Sequence, residues 1–201
     1  MTIVPMTFEH VDDVARLHCA GLSGLVSMLG ERAARAFYTG CVRSAFAVGF
    51  VAVEDGAVRG FVLGSVHPVR LRRDLLGRNP LGVMIGMGEG ILRRPSALAW
   101  LLRSFRGPDA GSYDDRAAEL TYLAVAPAAR GHGIGRQLVD AFAVAMREKG
   151  VAAFELSVDE DNPQAIRFYE GMGFQRIGQY REFGRLHVRY REDAGGGVST
   201  S

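Results

Sequence analysis

A glycine-rich stretch at residues 127–142, PAARGHGIGRQLVDAF, has the residue types of a phosphate-binding loop. An arginine precedes alternating glycines, and an apolar helical pattern follows at once. The first N–H groups of a helix have no intrahelical partner and carry partial positive charge, so they attract phosphate. Glycine lets the backbone approach a ligand and adopt dihedral angles that other residues avoid. The stretch therefore predicts a loop that holds a phosphate compound.

Two well-known phosphate loops do not fit this stretch. A Walker A loop ends in Gly-Lys-Ser/Thr, whereas Gly135 is followed by arginine and glutamine. A dinucleotide fingerprint requires a small residue at its last position. Counted from Gly131 or from Gly133, that position holds arginine or leucine. What remains is an arginine pattern, Arg130-x-x-Gly-x-Gly, between a strand that ends at a proline and a helix.

This pattern resembles the acetyl-coenzyme A signature of the GCN5-related N-acetyltransferase (GNAT) family, Gln/Arg-x-x-Gly-x-Gly/Ala. ELTYLAVAPAARGHGIG presents the strand, turn, loop and helix of that family in order. Further along, NPQAIRFYEGMGF resembles the family's Asn-x-x-Ala-x-x-Phe/Leu-Tyr-x-x-x-Gly-Phe segment. Together the two motifs cover residues 119–174. The resemblance implies one α/β acetyltransferase domain over residues 1–192, with a mixed central sheet that is splayed between two parallel strands and flanked by helices.

The same resemblance implies how acetyl-CoA binds. Backbone N–H groups of residues 131–136 would hold the pyrophosphate, with the His132 side chain exposed and incidental. The strand at 123–125 would splay from the strand at 152–158, leaving backbone groups to pair with the pantetheine arm. The Val125 N–H would stabilise the oxyanion, and Asn162 would cap a helix, bind the pantetheine arm, or do both. The expected cofactor-binding residues are Leu123, Ala124, Val125, Arg130, Gly131, His132, Gly133, Ile134, Gly135, Arg136, Asn162 and Tyr169.

Two residues are candidates for proton transfer. Acetylation of an amine requires a base for the ammonium proton and benefits from an acid that protonates the leaving thiolate. Glu119 begins the strand before the loop, alternates with Thr121, Leu123 and Val125, and resembles the base glutamate of the family, acting directly or through water. Tyr169 resembles the family's general acid, since a tyrosine with a pKa of about 10 is protonated at neutral pH. The alternative for Glu119 is an exposed carboxylate without a role, and the alternative for Tyr169 is an ordinary aromatic residue of the core.

Other catalytic chemistries have no motif in the sequence. The five histidines lack HExxH or Cys-x-x-Cys spacing, so we expect no metal site. No Gly-x-Ser-x-Gly elbow is present, and neither cysteine has a basic neighbour arranged by sequence. We therefore expect the amine to attack acetyl-CoA directly, in a ternary complex.

The composition is that of an ordinary globular domain. The chain has 201 residues, of which 48% are hydrophobic and 23% charged, and a net charge of +2. This charge is too small to predict a nucleic-acid or membrane-surface binder, and no apolar run reaches the roughly 18 residues of a membrane span. Cys19 and Cys41 are expected to be reduced thiols, and no leader pattern opens the chain. We expect a cytoplasmic protein.

Hydrophobic periodicity and turn residues predict the elements that position these residues. The predicted helices lie at residues 7–22, 31–42, 93–105, 133–149 and 162–173. The predicted strands lie at residues 2–5, 45–55, 60–66, 119–126, 152–158, 174–180 and 186–190. The second and third strands form a hairpin around a turn region at 56–60, and residues 193–201 are predicted to be a disordered tail.

The acceptor is the least determined part of the prediction. Residues 67–118 form a long insertion beside the family's acceptor cleft, serving as an acceptor lid or a dimer element. Its arginines, Arg70, Arg72, Arg73 and Arg78, either bind an anionic acceptor or form a solvated basic face. Trp100 and nearby leucines suit a homodimer contact.

Several functions stay open at this point. The acceptor is expected to be a primary amine of a small molecule, including an anionic or sugar-linked amine; a protein N-terminus or lysine is the alternative. A coenzyme A-binding regulatory module without turnover would need neither Glu119 nor Tyr169. A nucleic-acid adaptor would need an aromatic platform that does not accompany the arginines.

Overall fold

The computed structural model describes residues 1–78, 117–182 and 184–193. Within these residues, seven strands form one sheet in the order β1-β2-β3-β4-β5-β7-β6. The strands are β1 Thr2–Pro5, β2 Ala47–Glu54, β3 Ala57–Ser65, β4 Glu119–Val125, β5 Ala153–Asp159, β6 Gln175–Glu182 and β7 Arg185–Asp193. The helices are α1 Val11–Gly21, α2 Leu25–Leu29, α3 Glu31–Arg43, α4 Pro68–Arg78, α5 Ile134–Glu148 and α6 Pro163–Glu170, with short 3-10 turns at Phe8–His10 and Pro127–Ala129.

The sheet is split at its centre, as predicted. β4 and β5 are parallel and share a single register pair, Glu119 with Glu155. The Glu155 N–H donates to the Ala118 carbonyl over 2.8 Å at the same end. Beyond this point the two strands diverge, whereas the other neighbouring strands are antiparallel. The structure therefore confirms a mixed sheet splayed between two parallel strands.

Helices cover both faces of the sheet and create two apolar clusters. On one face α5 and α6 pack in a cluster that includes Leu138, Phe142 and Phe154, here called the α5 cluster. On the other face α1 and α3 pack in a cluster around Tyr38 and Phe61, here called the α1 cluster. Both helices α3 and α5 are apolar on one side, which is the pattern that packs against a sheet.

A bulge in β4 changes which of its residues share a face. Pairing with β3 reaches Tyr122 and resumes at Leu120, so Thr121 is the inserted residue. As a result, Leu120 and Leu123 both pack in the α5 cluster, while Tyr122 packs in the α1 cluster. Glu119 precedes Leu120 and points to the α1 side. The predicted alternation, which put Glu119 on the face of Leu123, is wrong because one residue is inserted between them.

The hairpin and two helices also differ from the prediction. The turn lies at Asp55 and Gly56, with φ angles of 50° and 76°, as a tight Asp-Gly hairpin turn requires. β3 therefore begins at Ala57, and residues 57–60 pair with β2 instead of forming a loop. The short helix α2 was not predicted, because five residues between Gly24 and Gly30 give too little periodicity. Helix α4 also falls where the sequence predicted only a strand break.

Parts of the prediction lie outside the described residues. These parts are the helix at 93–105, the role of Trp100 and the Arg78 side chain. β7 continues to Asp193, the first residue assigned to the tail, and residues 194–201 are outside the described ranges. Across the described ranges, none of the helices combines the length and the apolar content that a membrane crossing requires.

Candidate active site

The glycine loop is shaped by left-handed backbone conformations. Gly131 and Gly133 have φ angles of 82° and 75°, which favour glycine. Gly133 is the N-cap of α5, and the Gln137 N–H donates to its carbonyl over 3.1 Å. The N–H groups of the first turn before Gln137 therefore point out of the helix end. Because glycine has no side chain, the space in front of Gly131 and Gly133 is open, and an anion can approach this backbone closely.

The polar side chains of the loop tie it to its surroundings. Arg130 Nε donates to the Val125 carbonyl at the end of β4 over 3.2 Å. His132 Nδ1 lies 2.9 Å from the Arg130 carbonyl, and an Arg136 guanidinium nitrogen donates to the Gly171 carbonyl over 3.1 Å. All three side chains are exposed. Their bonds fix the loop between the end of β4 and the end of α6, so the loop is preformed.

Gly135 allows α5 to approach α6. A Cβ atom at Gly135 would lie 3.3 Å from Phe168 Cζ, tighter than most contacts of this kind. The neighbouring Ile134 is buried in the α5 cluster. The N-terminus of α5 is therefore packed against α6, which carries two other predicted site residues, Asn162 at its N-cap and Tyr169.

The edge of β4 offers backbone groups to the split in the sheet. The Ala126 N–H donates to the Arg59 carbonyl of β3 over 2.8 Å. Because backbone groups alternate between the two edges of a strand, the N–H groups of Val125 and Leu123 point towards β5. Ala124, between them, turns its backbone groups towards β3. The backbone N–H groups of two of the three predicted strand residues thus face the split, where β5 is too far away to form hydrogen bonds with them.

A single cleft of about 450 Å³ joins the predicted catalytic residues. It follows the split between β4 and β5, and the α1–α2 loop closes one side. The predicted residues that line it are Glu119, Leu123, Asn162 and Tyr169. Its other described lining residues are Leu22, Ser23, Gly24, Leu25, Leu120, Thr121, Tyr122, Leu156, Ser157, Val158, Asp159, Ala165, Tyr180, Arg185 and His187.

Tyr169 is both a core aromatic and a wall of the cleft. It is 7% exposed, and its ring centre lies 5.0 Å from that of Phe168 and 5.3 Å from that of Phe174. Burial raises the pKa of Tyr169 because the phenolate would lose its hydration. The hydroxyl is therefore protonated at neutral pH and available as a hydrogen-bond donor.

Asn162 caps α6, which is one of the two roles predicted for it. Its Oδ1 accepts a hydrogen bond from the Ala165 N–H over 3.1 Å, which satisfies one of the free N–H groups of the helix end. The residue is exposed and lines the cleft. Since the cap uses Oδ1, contact with a ligand in the cleft would use the amide Nδ2.

Glu119 lies where the split in the sheet closes. It is half-buried, begins β4 and is paired with Glu155 of β5. On the α1 side of the sheet it lines the same cleft as Tyr169, which reaches the cleft from α6 on the other side. The structure therefore brings the predicted base and the predicted acid to one cavity, from opposite faces.

The arginines of the insertion lie elsewhere. Arg70, Arg72 and Arg73 are exposed on α4, and the Arg70 guanidinium stands 5.7 Å from the centre of the Phe46 ring. None of these three is among the described residues that line the cleft.

Among the cleft residues that the sequence analysis did not predict, three form a row of polar or aromatic side chains. Asp159, His187 and Tyr180 come from β5, β7 and β6, which are neighbouring strands. His187 is paired with Asp159 on one side and with Tyr180 on the other. Only the register of three strands brings them together. The available signal was the alternation of apolar and polar residues along the last strands.

Comparison with known proteins agrees with this geometry. Residues 12–174 match the model of the acetyltransferase (GNAT) family. The mycothiol acetyltransferase of Streptosporangium roseum is 41% identical over 68 residues, which are 34% of this chain and 20% of that protein. The mycothiol acetyltransferase of Parafrankia sp. is 30% identical over 127 residues, 63% of this chain and 31% of that protein. The chain thus spans less than a third of the length of these curated relatives.

The fold is also found among solved structures. The crystal structure of the ribosomal-protein-S18-alanine N-acetyltransferase from Escherichia coli has a TM-score of 0.60 to this chain at 14% identity, covering 100% of this chain and 97% of that one. At this identity the likeness concerns the fold. With the split parallel strands, the glycine loop at the start of α5 and a family match over most of its length, the chain belongs to the GNAT family of acetyltransferases.

Proposed function

We propose that the protein is an N-acetyltransferase that transfers the acetyl group of acetyl-CoA to a primary amine of a small molecule, including an anionic or sugar-linked amine. The observation that carries the proposal is the single cleft, which joins the open edge of β4 to Glu119 and Tyr169. GNAT enzymes use acetyl-CoA, and the curated relatives are named for a small molecule, mycothiol.

The described backbone suits acetyl-CoA. The first-turn N–H groups of α5 and the left-handed Gly131 and Gly133 form a cradle for a pyrophosphate. Beside it, the N–H groups of Leu123 and Val125 take the place of a strand edge to which the pantetheine arm pairs. Asn162 then contributes its Nδ2 from the other wall. In this proposal the loop is held in place by the side chains of Arg130, His132 and Arg136, and its backbone provides the contacts with the pyrophosphate.

In the reaction the acceptor ammonium loses two protons and the sulfur gains one. Glu119 takes a proton from the acceptor ammonium, directly or through water, and the neutral amine attacks the thioester carbonyl carbon. The Val125 N–H stabilises the negative charge that develops on the carbonyl oxygen. As the carbon–sulfur bond breaks, the Tyr169 hydroxyl gives its proton to the sulfur, and the phenolate takes back the second N–H proton of the attacking nitrogen. Burial disfavours the thiolate as well as the phenolate, and this exchange leaves neither charge in the cleft.

Calorimetric titration with acetyl-CoA tests the cradle. Gly133→Asp adds bulk and negative charge where the pyrophosphate is placed, and we expect affinity to fall at least tenfold, about 1.4 kcal/mol. Gly150→Asp is the matched control, because Gly150 also has a φ of 75° and open space around it but lies at the other end of α5. Equal affinities for the two variants would contradict the assignment of the loop.

A panel of amines then separates an enzyme from a regulatory module. Loss of the thioester is followed with a diamine, an amino sugar, an amino-acid ester and a lysine-containing peptide. Turnover with a small amine supports the proposed function, and turnover with the peptide alone makes it a protein acetyltransferase. Binding of acetyl-CoA without consumption of any amine would indicate the non-catalytic module.

A further inference from the structure

A row of three side chains crosses the last strands of the sheet and ends in the cleft. His187 Nδ1 lies 3.1 Å from Asp159 Oδ1. The His187 and Tyr180 rings are stacked, with centres 5.2 Å apart and planes 18° from parallel. His187 and Asp159 are mostly buried, with side chains 18% and 23% exposed, and Tyr180 is 6% exposed. The imidazole is thus held between two neighbours and has few other orientations.

The carboxylate fixes which nitrogen of the ring is free for chemistry. Nδ1 is the ring nitrogen that faces Asp159 Oδ1, which favours a proton on Nδ1 and leaves the lone pair of the neutral ring on Nε2. The second carboxylate oxygen, Asp159 Oδ2, lies 3.1 Å from the Arg185 guanidinium. Asp159 is therefore anchored at both oxygens. A carboxylate that orients a histidine in this way also stabilises the imidazolium form of the ring.

The row shares a face of the sheet with Glu119. Val158 and Val188, next to Asp159 and His187 in sequence, pack in the α5 cluster. Alternation along each strand therefore turns Asp159 and His187 to the α1 side. This is the side on which Glu119 faces the cleft and on which the α1–α2 loop lies. Tyr169 and the glycine loop belong to the opposite, α5 side.

We infer that His187 is a second catalytic base, which takes a proton from the acceptor amine alongside Glu119, and that Asp159 is its positioning residue. This inference rests on the proposed function. In the step, an N–H bond of the ammonium breaks and its proton moves to His187 Nε2. The amine lone pair attacks the thioester carbonyl, and the sulfur leaves with the proton of Tyr169. The resulting phenolate takes the second N–H proton from the nitrogen, and His187 releases its proton to solvent. The products are the amide, the free thiol and one proton.

A histidine suits this step better than a carboxylate alone. Proton transfer is most efficient when the base takes up its proton near the working pH, which is the range of imidazoles. Among the described residues, the charged or titratable groups next to His187 are Asp159 on β5, Tyr180 on β6 and Arg185 on β7 itself. Two residues further along β7, the buried Arg189 is paired with Glu155 of β5. Across the cleft stand Glu119 and Tyr169. Asp159 is the charged group closest to the ring, 3.1 Å from Nδ1.

The test is the pH dependence of kcat/KM, measured with whichever amine of the panel is consumed. For the wild type we expect kcat/KM to fall as the pH drops through the range in which imidazoles take up a proton. In His187→Gln that fall disappears, leaving one at lower pH from Glu119, and kcat/KM above neutral pH drops about tenfold or more. Asp159→Asn keeps an acceptor for Nδ1–H but removes the charge that stabilises the imidazolium formed in the step, so kcat should fall while KM stays within about twofold. A merely structural role would not lower kcat alone in this way.

Controls separate the possible failures. His10→Gln replaces a histidine that does not line the cleft and is expected to leave the profile unchanged. Acetyl-CoA affinity, measured by calorimetry, should be within twofold of wild type in all three variants. The inference is overturned if His187→Gln has the wild-type pH profile and a rate within about twofold. If the wild type consumes no amine of the panel, the proposed function itself fails and the inference falls with it.

A spectroscopic measurement tests the geometry without turnover. A proton shared between Nδ1 and a carboxylate gives a downfield imidazole N–H signal. We expect this signal in the wild type with acetyl-CoA bound, a change in it in Asp159→Asn, and its loss in His187→Gln. Its absence from the wild type would remove the contact on which the inference depends.

Discussion

Gly64 of β3 leaves no room for a side chain next to β4, and adding one methyl group there tests how the site is positioned. A Cβ at Gly64 would overlap the carbonyl oxygen of Glu119 and would lie 2.5 Å from Phe142 Cζ. The carbonyl is part of the β4 backbone, and Phe142 is fully buried in the α5 cluster. Neither group can rotate away, so Gly64→Ala must push β4 from β3 at the residue that carries the proposed base.

The expected destabilisation follows from two opposing effects. Overpacking of a close-packed core costs about 1–3 kcal/mol, with the upper half of that range fitting an overlap with backbone. Replacing glycine in a strand by alanine recovers about 0.5–1 kcal/mol. Gly64→Ala should therefore lower the free energy of unfolding by about 2 kcal/mol. Gly49→Ala in β2 is the control, because its Cβ would meet side-chain atoms and no backbone: the ends of Leu63 and Met6 at 3.2 and 3.3 Å and Met6 Cβ at 3.4 Å. The two effects should therefore nearly cancel.

Urea denaturation measures the difference between the two variants. We expect Gly64→Ala to be about 2 kcal/mol less stable than Gly49→Ala, with equal m-values. Turnover of the folded Gly64→Ala protein should also fall, since Glu119 moves with the backbone. Stabilities within 0.5 kcal/mol of each other would show that β4 yields freely at this point, and the reasoning about a rigid site would be refuted.

Three further predictions concern single side chains. Tyr169→Phe keeps the buried ring but removes the acid, so kcat should fall about 100-fold while acetyl-CoA affinity stays within a few-fold; unchanged kcat would remove Tyr169 as the acid. Asn162→Ala should cost about 1 kcal/mol in urea denaturation through the lost cap, whereas Asn162→Asp should keep it. Burial lowers the pKa of His18 to about 4. As the pH falls, the unfolded chain therefore takes up a proton at a higher pH than the folded chain, and the free energy of unfolding decreases by about 3 kcal/mol between pH 6.5 and 4. His18→Gln should show a weaker pH dependence of unfolding, and an equal one would contradict this assignment.

The sequence was informative where one local segment carries the signal. The helix after the glycine loop, the cap at Asn162 and the strand that begins at Glu119 are each specified within about ten neighbouring residues. The family match from residue 12 to 174 supports the motifs that were read from them. Local signals were also overlooked, since Asp55 and Gly56 are a standard hairpin turn that the sequence analysis placed a few residues too late.

The remaining features depend on pairing between distant segments. Between the pairs Leu63–Tyr122 and Gly64–Leu120, β4 has one residue more than β3, and this residue, Thr121, forms the bulge. The sequence of β4 alone gives no sign of it. The contact between Asp159 and His187 needs the register of β5 against β7, which are separated by α6 and β6 in the chain. A change of register by one residue would turn both side chains to the other face. The resemblance of local motifs to the GNAT family therefore predicted roles for Glu119 and Tyr169, whereas no local pattern could predict the contact between Asp159 and His187.

The split in the sheet is maintained by the way each half is held. β4 is paired along its length with β3 and β5 with β7, so neither strand is free to close on the other. Helix α5 contacts β2, β3 and β4, and Phe142 on this helix packs edge to face against Phe154 of β5, with ring centres 5.1 Å apart. The helix that begins at the glycine loop thus also joins the two halves. The facing edges of β4 and β5 carry backbone groups that need hydrogen-bond partners. A ligand that binds the loop and both edges is therefore held by one rigid unit, and the sheet does not have to close around it.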